Sequence, residues 1–236
     1  MSGEPVHPTA GESHTPSTHH LPAWRRESPG ESRWPVVGAV VMAVVFQVVL
    51  PDRFTPGHRA VPFLELLLAL GLIGTHPYRT GRAQSWLRPA SLLLVAMISV
   101  TNGWSAVRLV QQIIQGRQDD AISLLSSGAA IWATNVIIFA LWFWEFDRGG
   151  PLQRAQGSRA HPDFVFPQMQ NPELAGPEWE PHFADYLYVS FTNACAFSPT
   201  DTMPMARWAK MTMLVQSGIS LVTIALVISR AVGLFK

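Results

Sequence analysis

From Ala121 to Trp144 the chain carries no Asp, Glu, Lys or Arg. At about 1.5 Å per residue this run makes a helix of about 36 Å, longer than a hydrocarbon core of roughly 30 Å. In lipid a backbone must satisfy its own polar groups, so runs of this kind become helices. Four further apolar windows accompany it, giving Pro35–Leu50, Val61–Ile73, Pro89–Ile114, Ala121–Phe146 and Ala206–Val232 in order. The second and first are short, and the others are long enough to cross with tilt. A further helix, Phe183 to Phe197, covers only about 22 Å and is expected to dip into the bilayer without crossing it. The expected fold class is therefore an all-α integral membrane protein, with about five transmembrane helices plus a short re-entrant pore-like helix before the last span.

The charges sit between the apolar runs. Charged residues make up 14% of the chain, against roughly 25% in soluble domains. This divides the sequence into a polar tail (1–33), a four-helix membrane region (34–146), an extramembrane loop (147–181) and a last unit (182–236) of short helix, polar turn and final span. The tail is rich in Pro, Ser, Gly, Glu and His and is expected to be disordered. Its His7, His14, His19 and His20 have no fixed geometry, so neither a metal nor another cofactor is expected. The run after it lacks a small-residue cleavage pattern, which favours a retained anchor. In the loop, Gly149-Gly150-Pro151 breaks the preceding helix, and Phe164, Phe166 and Trp179 offer anchors. A net charge of +1 argues against a nucleic-acid partner, and the apolar windows make the lipid bilayer the expected one. The lone Cys195 forms no intrachain disulfide and reads as a small buried apolar residue.

Polar residues inside the spans are the first functional candidates. Glu65 is flanked by Leu and Phe residues, where an unpaired carboxylate costs on the order of 3 kcal/mol and needs a partner or water. Asn102 with Thr101, Asn135 with Thr134, and Gln216 with its small neighbours Ser217, Gly218 and Ser220 can hydrogen-bond across helices. At the end of the fourth window, Trp142 and Trp144 suit an aromatic belt, while Glu145, Asp147 and Arg148 form either a helix stop or a cation-attracting mouth.

The run from Asp185 to Pro204, followed by Ala206-Arg207, resembles the pore module of tetrameric potassium-type channels. That family has an aromatic pore helix, a Gly-Tyr-Gly-Asp filter, a later Pro and an Ala-Arg pair opening the inner helix. On this resemblance Thr192 falls on a pore-helix Thr, Asp201 on the filter-end Asp and Pro204 on the later Pro, so Thr192, Asn193, Ser198, Pro199, Thr200, Asp201 and Thr202 would form a filter-like turn. Ser198-Pro199-Thr200 replaces Gly-Tyr-Gly, and Pro199 fixes a φ near −65°, which argues against potassium selectivity. The part from the fourth window onward is also similar to a group of uncharacterised bacterial integral membrane proteins. The shared runs are Trp-Glu-Phe-Asp-Arg-Gly-Gly-Pro, Phe-Pro-Gln-Met and Phe-Ser-Pro-Thr-Asp-Thr-Met-Pro. That second resemblance implies a multi-pass protein of a bacterial inner membrane or plasma membrane and supplies no activity.

With the N-terminus cytoplasmic and five spans, eleven of the 17 Lys and Arg fall inside, as the positive-inside rule favours, and the same split results if Phe183 to Phe197 crosses as a sixth span, so the count does not choose between hairpin and span. The mouth of the hairpin is then cytoplasmic, whereas the channels it resembles have theirs outside. Three readings stand. One is an ion-channel-like protein, a tetramer, carrying monovalent cations without potassium selectivity. Another is a non-conducting scaffold that keeps the hairpin for packing. The third is an enzyme or transporter using Glu65, Glu145, Asp185 and His182. No paired carboxylates, metal spacing or nucleophile motif supports catalysis, and no enzyme is expected.

Overall fold

Each apolar window folds as a helix in the computed structural model, which describes residues 21–56, 60–74, 84–117, 120–196 and 201–234. The order is α1 (Trp34–Val49), α2 (Ala60–Gly74), α3 (Gln84–Ile114), α4 (Ala121–Phe146), α5 (Pro151–Ala155), β1 (Phe164–Val165), α6 (Pro167–Gln170), α7 (Phe183–Ala196), β2 (Met203–Pro204) and α8 (Arg207–Leu234). The two short strands pair antiparallel, Phe164 opposite Pro204 and Val165 opposite Met203. Among the described residues, three helical stretches are long and apolar enough to cross a membrane: Arg88–Ile114, Ala121–Gly149 and Arg207–Leu234. Helices α1 and α2 are apolar but shorter.

Helix α4 is the axis of the bundle. Two-thirds of its apolar window is buried within the chain (67%), against 33% for α3 and 28% for α8, so α3 and α8 turn most of their apolar surface outward. Val100 and Val107 of α3, Leu214 and Val222 of α8 and Val49 of α1 are all exposed, while Glu65, Asn102, Asn135 and Gln216 are buried. Apolar outside with polar inside is what a hydrocarbon solvent selects, since lipid tails are as apolar as these side chains. At the crossing of α4 and α8, a Cβ on Gly128 would lie 2.8 Å from a methyl of Val227. The missing side chain allows this close approach, as small residues do between membrane helices.

The helices alternate between two ends of the bundle. At one end, Ser91 near the start of α3 donates to Glu145 near the end of α4, and Trp144 donates its indole N–H to Glu31, ahead of α1. At the other, Ser105 of α3 donates to the Phe54 carbonyl between α1 and α2, and Arg53 reaches Ser123 near the start of α4. The segment 183–204 begins and finishes at the first end. The Phe183 N–H donates to Glu31, and Met203 and Pro204 pair with the strand beside Asp163.

Local boundaries differ from the sequence reading at three places. Helix α3 starts five residues ahead of Pro89 and carries that proline inside the helix, past the first turn, where it removes one i→i−4 hydrogen bond. Pro151 opens α5 instead of only ending α4, because its fixed φ suits a first helical turn. The tail expected to be disordered through residue 33 is docked from Trp24 onward, held by the Trp24 carbonyl and the Glu31 carboxylate. Its four histidines lie outside the described residues.

Candidate functional site

The half-length helix α7 lies between α4 and α8 and is stapled to both by buried polar groups. Asn193 donates to Gln216 Oε1 at 2.8 Å and to the Met213 carbonyl at 3.0 Å. The Gln216 amide donates to Ser190 Oγ (2.7 Å) and the Ser190 carbonyl (2.9 Å). Ser190 in turn donates to the Val136 carbonyl of α4 at 2.6 Å. One turn further along α8, Asn135 of α4 donates to Ser220 at 3.1 Å. Each donor meets an acceptor on another helix, so the network orders three helices at once.

Below the entrance of α7, the Trp144–Pro151 run forms a closed latch. Asp147 is fully buried. One carboxylate oxygen accepts the N–H groups of Asp163 (2.9 Å) and Phe164 (3.3 Å), and the other accepts the Tyr186 hydroxyl of α7 at 2.6 Å. Asp163 answers by accepting the Arg148 N–H at 2.7 Å and the Trp208 indole N–H of α8 at 3.1 Å. Arg154 donates to the Trp144 and Asp147 carbonyls, closing the last turn of α4 whose carbonyls have no intrahelical partner. The chain turns here through three positive φ angles, Arg148 (51°), Gly149 (81°) and Gly150 (100°). At Gly150 a Cβ would sit 2.9 Å from the Glu145 carbonyl oxygen, so only glycine fits.

The filter-like turn divides. Thr192 donates back to the Tyr188 and Val189 carbonyls of its own helix, and Asn193 is buried in the staple. Asp201 is exposed and Thr202 buried, while Ser198, Pro199 and Thr200 lie outside the described residues. Among the mouth residues, Asp147 and Arg148 are enclosed, with Arg148 donating to the Trp24 carbonyl and lying 3.8 Å from Asp147. Glu145 is buried and accepts from Ser91 at 2.9 Å. This is the geometry of an anchored corner, with all three side chains buried.

Cys195, expected to be buried, is exposed. It shares the outward stripe of α7 with Tyr188 and Phe191 at i, i+3 and i+7 spacing, a face that suits lipid. Asp185 accepts the backbone N–H of His182 at 2.8 Å and so caps the start of α7. Burial raises its carboxyl above the ordinary value, partly offset by that hydrogen bond. Sequence reasoning missed Glu31, Asp163, Ser190 and Tyr186, whose partners are all distant in sequence. Asp163 alone had a local signal, standing just before the Phe-Val-Phe run.

No protein-family model, curated protein or solved structure matches the chain. Among the described residues no group of three His, Cys, Asp or Glu is placed to hold a metal.

Proposed function

We propose that this chain is a five-span integral membrane protein, with α1 to α4 and α8 crossing, in which 183–204 is a re-entrant hairpin serving a non-conducting scaffold. The observation that supports this reading most is the Asn193–Gln216–Ser190 staple, made wholly within one chain. Polar side chains that line a cation filter turn oxygen toward the passing ion, whereas these are committed to neighbouring helices. Nine described Lys and Arg lie at the end that holds the hairpin's entrance and four at the other, a bias that supports a cytoplasmic latch and hairpin mouth. The test is ion flux into liposomes carrying the purified protein at verified incorporation. Tight vesicles support the scaffold, and a protein-dependent conductance overturns it.

A second reading is a homo-oligomeric cation pathway without potassium selectivity. Exposure of Asp201 at the end of the hairpin favours it, as does the resemblance of 185–204 to a pore module. Under this reading Asp201→Asn changes the permeability ratio of cations over anions. Unchanged selectivity in a conducting mutant removes Asp201 from any pathway.

A further inference from the structure

Helices α1, α2 and α3 enclose a second polar cluster, built on opposite terms from the staple. Ile98, Thr101, Asn102 and Ser105 occupy one face of α3 at i, i+3, i+4 and i+7 spacing. Gln47 of α1 donates its amide to the Ile98 carbonyl at 3.4 Å, which fixes the side-chain orientation, because the alternative would set two carbonyl oxygens against each other. Its Oε1 is left buried with no donor. Glu65 of α2 accepts from Thr101 at 2.9 Å through Oε1, while its Oε2 is buried with no donor. Even the first of these bonds is contested. The same Thr101 hydroxyl lies 3.0 Å from the Met97 carbonyl, and one O–H proton serves one acceptor at a time. Asn102 Oδ1 is a third buried acceptor without a donor.

The three side chains are almost wholly enclosed, at 1%, 0% and 3% exposure for Gln47, Glu65 and Asn102. Among the described residues no Lys, Arg or His forms an ion pair with Glu65. Three buried oxygens, one of them from a carboxyl group, lack a donor. A guest that brings positive charge and accepts several oxygen ligands at once would fill all three, which is the chemistry of a hard cation. A proton on Glu65 would serve one amide oxygen and leave the other unsatisfied. A water could donate to two oxygens but would leave the carboxylate charge uncompensated. A divalent ion would exchange one uncompensated charge at membrane depth for another.

We propose that Gln47, Glu65 and Asn102 form a binding site for one dehydrated monovalent alkali cation between α1, α2 and α3. The site is separate from the hairpin and holds whether the hairpin conducts or not. An ion bound there ties three helices together and is lost when they separate, so binding is read as stability. The experiment uses the full chain in detergent, unfolded thermally in sodium, potassium or choline chloride at matched ionic strength. The expected result is a midpoint that climbs by an equal step for each tenfold rise in sodium or potassium above the dissociation constant and stays flat in choline. In Glu65→Gln the climb disappears, because the new amide supplies donors and removes the charge. In Asn102→Ala it shifts to about tenfold higher ion concentration. Should Glu65→Gln fail to fold, Asn102→Ala and direct binding of radioactive sodium to the wild-type protein, near one ion per chain, decide the matter. Identical midpoints in alkali and choline salts overturn the site. So does a dependence on pH alone, which would leave a proton as the occupant, or an alkali response retained by both variants.

Discussion

Two polar clusters of the bundle treat their buried groups in opposite ways. Around α4, α7 and α8, Asn135, Ser190, Asn193 and Gln216 form a network in which donors and acceptors meet across helices. Around α1, α2 and α3, Gln47, Glu65 and Asn102 each leave an oxygen without a donor. The first cluster gains order from its own side chains, and the second is incomplete without something added. Since an unmade hydrogen bond costs more than a made one contributes, the α1–α3 cluster should be the softer of the two until its acceptors are filled.

Mutations can break or sharpen that contrast, and the largest effect is expected at the latch on which the ordered cluster hangs. Asp147→Ala strands the Tyr186 hydroxyl and the Asp163 and Phe164 amides in a buried place and should cost about 3–5 kcal/mol, read as a lowered thermal midpoint in detergent. A loss below 1 kcal/mol would mean that the latch is wet and adjustable. Gly128→Leu forces α4 and α8 apart at Val227 and should cost about 1–3 kcal/mol, with the bundle still helical by circular dichroism. In the staple, Asn193→Ala and Gln216→Ala each remove part of one network, so a double-mutant cycle should give a coupling of about 1 kcal/mol. Additive losses would separate the two residues. The N-cap of α4, where Asp120 accepts from Ile122 and Ser123, should cost about 1 kcal/mol on Asp120→Ala. Thr192→Val is the mildest, within about 0.5 kcal/mol, because its hydroxyl bonds only within α7. A changed flux in that variant, with stability held, would be the sharpest sign for the pathway reading.

The helices were legible because bilayer-scale hydrophobicity is a local property of sequence. The fourth window, Ala121–Phe146, matches α4 as it stands, and the first differs from α1 by one residue at each end. Polar residues in apolar runs were legible as candidates, since each had to be compensated somewhere. Their partners were not, because pairing is set by the crossing of helices far apart in sequence: Asn193 and Gln216 are 23 residues apart, Glu65 and Thr101 36. The latch was the hardest to foresee. Asp147 and Arg148 carry charges that read equally well as a solvated mouth, and only the return of Asp163 and Tyr186 to the same corner encloses them.

The bond from Glu31 to the Phe183 amide also has a tempo. Its two ends are 152 residues apart, which at about 5–20 residues per second separates their synthesis by roughly 8–30 seconds. For that interval the Glu31 carboxylate can hold the Trp144 indole but not its backbone donor, so the full set of bonds at Glu31 is complete only in a chain whose fourth helix, loop and half-helix are all in place.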